Sequence, residues 1–177
     1  MSLHHALMLP WFLPSAAIAL VVSLAVSGAV GRTLRVARPV AWLMVLSLGI
    51  ILAATLTPQW EALAFGAQGS STCDLSRLGF APLRELLRFH DTSLNVLMFI
   101  PLGSMIGLVP WSRRKALVVI AAIALPFAIE TAQLLLPVLD RACESADVVD
   151  NLTGLVIGVG GGVIARRLWR SLGRRPD

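Results

Sequence analysis

The sequence has no tyrosine, only two cysteines in 177 residues, and few charges: Asp, Glu, Lys and Arg make up 14%, against roughly 25% in a typical soluble domain. This scarcity excludes an ordinary soluble globule. The 56% of residues that are hydrophobic exceed what a single core can hide, so the surface itself must be apolar and face lipid. A mean hydropathy of +0.79 leads to the same reading. The chain also lacks a nucleophile motif, a Gly-rich phosphate loop and any Cys/His spacing suited to a metal, His90 being the only histidine near either cysteine. Neither a metal nor a cofactor is expected. The surplus of five positive charges invites a nucleic-acid reading, but the basic residues sit in short groups between apolar runs and form no polar face, so nucleic acid is not an expected partner.

What is there is a series of five apolar runs, at 11–31, 39–57, 93–110, 116–137 and 148–165. Each is about long enough to cross a hydrocarbon core of roughly 30 Å as a helix. The first is read as a retained span and not a cleaved signal, because no Lys or Arg precedes Arg32. Short loops rich in Lys and Arg stay in the cytoplasm. Arg32, Arg35 and Arg38, then Arg113, Arg114 and Lys115, then Arg166, Arg167, Arg170, Arg174 and Arg175 all fall on one side if there are five crossings. The expected fold is therefore an all-α, polytopic transmembrane bundle with its N-terminus outside and its C-terminus inside. Glu61, Asp74, Glu85, Asp91, Asp140, Glu144 and Asp147 then lie at the outer side, while Trp11 and Trp60 mark outer helix ends and Trp42, Trp111 and Trp169 inner ones, as aromatic belts do.

Between the second and third spans lies an outer segment too long for a simple turn. Residues 67–71 are small and polar and read as a flexible loop, and residues 79–89 read as an amphipathic helix at the outer interface. In that helix Pro82 suits a first helical position, Leu83, Leu86, Leu87 and Phe89 share one side, and Arg84, Glu85 and Arg88 share the other. Cys73 and Cys143 both fall in outer loops, where oxidising conditions permit a bridge; a disulfide and two unrelated thiols are both open readings.

Polar side chains inside a span are costly in lipid, so each calls for a reason. On the third span Asn95, Phe99 and Gly103 recur every four residues and share a helix face; on the fourth, Glu130 and Gln133 do; on the fifth, Asp147, Asn151, Gly154 and Gly158 form one stripe with Asp150 beside it. At 1.5 Å of rise per residue Glu130 lies roughly 10 Å below the outer end of its span. These groups, with Arg141 in the short loop above them, converge into a shallow polar pocket in the outer half of the membrane. Asn95, Gln133 and Asn151 also read as interhelical glue, Asp147 as a helix-start residue, and Gly103, Gly154 and Gly158 as points of close helix approach. Pro101 and Pro126 are expected to kink their helices, and the basic tail to anchor on anionic lipid. The small residues Ala25, Gly28 and Gly31 of the first span offer a homodimer face.

The ordered series NVLMFIPLG (Asn95, Phe99, Pro101, Leu102, Gly103), ETAQ (Glu130, Gln133) and RACESADVVDNLTGLVIG (Arg141, Asp147, Asn151, Gly154, Gly158), preceded by FAPLREL, resembles the VanZ-like membrane proteins, a family named for a factor associated with teicoplanin resistance. The resemblance covers residues 79–162, with Leu83 standing where many relatives carry Phe. It divides the chain into two N-terminal helices and an outer loop (1–78), a VanZ-like three-helix region (79–165) and a basic cytoplasmic tail (166–177). It implies a multi-pass protein of a bacterial cytoplasmic (inner) membrane linked to glycopeptide resistance, with membrane lipids as neighbours, and brings no established reaction with it. Two functions remain open. In one, Asn95, Gln133, Arg141, Asp147 and Asn151 bind a lipid-linked cell-wall precursor or a lipoglycopeptide without catalysis. In the other, Glu130 and Asp147 act as acid and base on a lipid or lipid-linked head group.

Overall fold

The computed structural model of the chain describes residues 10–66, 72–82, 84 and 91–172. Its long helices are α1 (Phe12–Leu34), α2 (Arg38–Thr55), α4 (Asp91–Leu108), α5 (Arg113–Leu135) and α6 (Ser145–Leu172); α3 (Trp60–Phe65) is a short helix after α2. The expected amphipathic helix at 79–89 and the loop at 67–71 lie largely or wholly outside the described residues.

Local chemistry explains the helix ends. α1 runs beyond residue 31, because the chain leaves it through Arg35, which adopts a left-handed conformation (φ 56°) and donates its backbone N–H to Gly31 O. α2 follows at once, with a proline in its first turn, where the missing N–H costs nothing. α5 begins at a Ser112 cap whose hydroxyl accepts from Lys115 N at 3.1 Å. α6 is longer at both ends than its apolar run: Ser145 to Asp147 already fit the polar first turn, and the Arg, Leu and Trp residues after 165 are helix formers that give it no reason to stop. α4 and α5 continue through Pro101 and Pro126.

α1, α2, α5 and α6 are each long and apolar enough to cross a membrane, and the apolar part of α4, Thr92–Leu108, is slightly shorter. Only 17 to 33% of the apolar stretches of those four helices is buried inside the protein. Large side chains such as Ile18, Val21, Ile120 and Val156 are exposed on the flanks. A surface of this kind is stable only against hydrocarbon, so the chain is a membrane-embedded helical protein.

The most extensive packing joins α4 to α6, followed by α1 to α2; α2 lies against α4, and α5 against α6. The α4–α6 seam is made of glycine. A Cβ on Gly103 would run into the carbonyl of Leu155, one on Gly154 into that of Val96, one on Gly158 into that of Ile100, and one on Gly162 into that of Ser104. Gly107 meets Val159 O in the same way. The two backbones therefore touch, as small residues at four-residue spacing allow in lipid. Phe99, Ile51, Ile106, Ile129 and Leu155 fill the core beside this seam. Of the small residues on α1, Gly31 is already buried against Ala41 of α2, while Ala25 faces outward.

The two ends of the bundle differ in chemistry. One carries the arginines of the α1–α2 and α4–α5 connections and of the end of α6, and is called the arginine end below. At the other, Cys73 and Cys143 form a disulfide with a Cα–Cα distance of 4.6 Å, and the two-residue strands β1 (Cys73–Asp74) and β2 (Cys143–Glu144) pair in parallel, Cys73 beside Cys143 and Asp74 beside Glu144. This is the disulfide end.

Candidate functional site

Polar residues gather just inside the disulfide end. After α5 the chain makes a single 3-10 turn, Pro137–Leu139, and reverses at Asp140, whose left-handed backbone (φ 51°) suits an Asp. The reversal places Arg141 over the end of α2, where its Nη2 donates to Ala54 O at 2.8 Å. Leu139 O accepts from Gln59 N at 3.3 Å, fastening the same connector a second time. The next residues enter β2, which the disulfide holds against β1, and α6 starts at Ser145.

This connector satisfies the acid buried below it. Glu130 on α5 is 5% exposed, and its Oε2 accepts the backbone N–H of Glu144 at 2.8 Å. Gln133, one turn further along α5, donates from Nε2 to Thr55 O at 3.1 Å, tying α5 to the end of α2. Asp147 lies in the first turn of α6, where its carboxylate meets the positive end of the helix dipole. It is thus inside the helix and not its cap.

Asn95, Glu130, Gln133, Arg141, Asp147 and Asn151 all line one cavity of about 480 Å³. Phe12 of α1 and Ile50 of α2 add apolar wall, and Glu144 adds a further carboxylate. Two of the buried acceptors lack a partner among the described residues. Asn151 is 1% exposed and Gln133 is 5% exposed, yet Asn151 Oδ1 and Gln133 Oε1 accept no hydrogen bond from any described residue. Native proteins seldom leave such groups unsatisfied, since each costs roughly 1–3 kcal/mol. A ligand or water carrying hydrogen-bond donors would satisfy both.

The remaining residues singled out in the sequence sit behind this wall. Phe99 is fully buried in the core one turn below Asn95, and Gly103, Gly154 and Gly158 belong to the backbone seam. Pro101 lies within α4. Asp150 is directed elsewhere. It is 2% exposed and forms a two-point ion pair with Arg77, Nη1 to Oδ1 at 3.0 Å and Nη2 to Oδ2 at 2.5 Å. Arg77 also donates to Ala146 O at 3.4 Å, and Ser145 Oγ donates to Arg77 O at 2.9 Å. Sequence reasoning missed Arg77, Thr55 as a carbonyl partner and Glu144 as the main-chain donor. A buried acid with no nearby base in its own helix was the available signal for an arginine partner, although Arg84 and Arg88 lie nearer to Asp150 in the sequence than Arg77 does.

Comparison with curated proteins and with solved structures finds no match. A family model does match, over residues 42–166, a stretch that contains most of α2, the disulfide, the connector and every polar residue of the cavity. The chain belongs to the VanZ/LLP1 family.

Proposed function

We infer that this protein binds the polar end of an amphiphile, a lipid-linked cell-envelope precursor or a lipoglycopeptide, in the cavity beneath the α5–α6 connector. The observation that carries this reading is the pair of buried, unsatisfied acceptors, Asn151 Oδ1 and Gln133 Oε1, in a cavity of about 480 Å³ with mixed polar and apolar walls. Arg141 supplies a guanidinium for a phosphate or carboxylate, while the apolar flanks of the bundle suit an acyl chain. In this reading the arginine end is cytoplasmic, in line with the distribution of Lys and Arg, and the disulfide end faces an oxidising exterior of a bacterial cytoplasmic membrane. Family membership supports a link to glycopeptide resistance.

The test is a binding titration of the full chain in nanodiscs with teicoplanin and with a lipid-linked disaccharide. Asn151→Leu removes the unsatisfied acceptor but keeps the branching and heavy-atom count of the side chain, its extra bulk having the adjoining cavity to enter, and should weaken binding roughly tenfold by deleting one buried hydrogen bond while leaving the fold intact. Unchanged affinity for both ligands in Asn151→Leu and in Arg141→Ala defeats the proposal. Glu130→Gln separates binding from catalysis, because a Gln carbonyl still accepts the Glu144 N–H whereas acid–base chemistry is lost. Full retention of the resistance phenotype in Glu130→Gln removes the enzyme reading; loss of phenotype with unchanged binding favours it.

A further inference from the structure

At the arginine end, a second cavity of about 340 Å³ lies between the α1–α2 turn, the end of α4 and the last turns of α6. Three arginines and a tryptophan line it: Arg35, at the left-handed exit of α1, and Arg166, Trp169 and Arg170, which share one face of α6 by their spacing of three and four residues. Val40 and Pro110 provide apolar wall. The site is thus assembled from three separate parts of the chain.

Its charge is unbalanced. Lys115, 4% exposed, donates from Nζ to Val109 O at 2.9 Å, and Arg166 donates from Nη1 to the same carbonyl at 2.6 Å. Two cations therefore share one neutral acceptor. Every described Asp and Glu stands in the half of the chain toward the disulfide end, so among the described residues no carboxylate neutralises this cluster. Like charges gathered in one site repel one another, and an anion relieves that repulsion. Arginine guanidinium groups match the geometry of phosphate oxygens. Trp169, 82% exposed, is the residue type that settles at the headgroup level of a bilayer.

We propose that this cavity holds the phosphodiester of an anionic phospholipid, with the acyl chains lying along the exposed apolar flank of α6. An anionic headgroup is selected over a zwitterionic one. The ammonium of a choline or ethanolamine headgroup would be repelled by the three arginines here, with Trp169 its one attractive neighbour and no described carboxylate to receive it. The site is independent of the polar cavity at the other end and of the function assigned to it.

Native mass spectrometry of the full chain in detergent, titrated in turn with dioleoylphosphatidylglycerol, dioleoylphosphatidylcholine and inorganic phosphate, tests the proposal. The wild type should retain phosphatidylglycerol in preference to phosphatidylcholine. Arg35→Gln/Arg170→Gln, which leaves the Arg166 contact to Val109 untouched, should weaken phosphatidylglycerol binding about 30-fold and leave phosphatidylcholine binding unchanged. Arg32→Gln/Arg167→Gln removes the same charge from the same end but outside the cavity lining, and should keep most of the preference. Equal retention of the two lipids by the wild type overturns the proposal, as does an equal loss in the two double variants. Displacement of phosphatidylglycerol by millimolar inorganic phosphate would reassign the cavity to a free anion and overturn it as well.

Discussion

Replacing Arg77 by Ala should be among the most damaging single changes in the described chain outside the helix seam. The pair it breaks has two contacts, at 3.0 and 2.5 Å, and the partner, Asp150, is 2% exposed at the side chain whereas Arg77 is 26% exposed. Removing the arginine strands a carboxylate that water barely reaches, a loss of about 3–5 kcal/mol for buried pairs. The partial exposure of Arg77 lets some water enter after truncation, which places the cost at the lower end, about 3 kcal/mol. The reverse change, Asp150→Asn, removes the stranded charge but leaves an acceptor for Nη1, so it should cost only about 1–2 kcal/mol. In that background Arg77→Ala should cost less than about 1 kcal/mol, a coupling of about 2 kcal/mol between the two positions. Equilibrium unfolding in mixed micelles, followed by circular dichroism under non-reducing conditions, measures all four corners of the cycle. If Arg77→Ala costs the same with Asp150 and with Asn at 150, the pair does not stabilise this end of the bundle and the reasoning fails.

Other expectations concern the seam, the bridge and the cavity. Gly158→Ala drives a methyl group into Ile100 O and should destabilise by about 1–3 kcal/mol. A Cβ on Gly160 or Gly161 meets nothing within 4 Å, so alanine at either should be neutral or stabilising by up to about 1 kcal/mol through helix propensity; the same unfolding assay reads the contrast. Cys73 and Cys143 are 70 residues apart in sequence, and Cys73→Ser/Cys143→Ser should lose about 2–4 kcal/mol of stability, a loss that dithiothreitol reproduces in the wild type but not in the variant. Leucine at 151 removes a buried unsatisfied acceptor and so should leave stability unchanged or raised, even as ligand affinity falls; destabilisation by more than about 2 kcal/mol would mean that Asn151 is a structural hydrogen-bonding group.

The helices were legible because lipid imposes a length and an apolar composition that a sequence displays directly. Their ends were not, because Arg35 closes α1 by a backbone conformation and α6 runs on through arginines that neither favour nor forbid a boundary. The polar wall was legible for a related reason: Asn95, Glu130, Gln133 and Asn151 stand out against apolar neighbours, and the lining of the cavity collects them. Arg77 carries no such signal. An arginine in a polar loop costs nothing wherever it points, so only the folded chain reveals that it reaches Asp150. Gly107 and Gly162, by contrast, extend the four-residue repeats of Gly103 and of Gly154 and Gly158, and their place in the seam could have been read from spacing alone.

The glycine seam also decides which parts of the molecule can move. Backbone pressed on backbone has no side chains to change rotamer, so α4 and α6 shift as one body, while α1 and α2 form another that touches the first mainly through α2 on α4. The polar cavity is the gap between these bodies. Bonds from Gln133 to Thr55 O and from Arg141 to Ala54 O act as its latches, each running from the α5–α6 side to a carbonyl at the end of α2. On the proposed function, a guest that drew either side chain off its carbonyl would loosen the latch and so couple its own admission to a widening of the cleft.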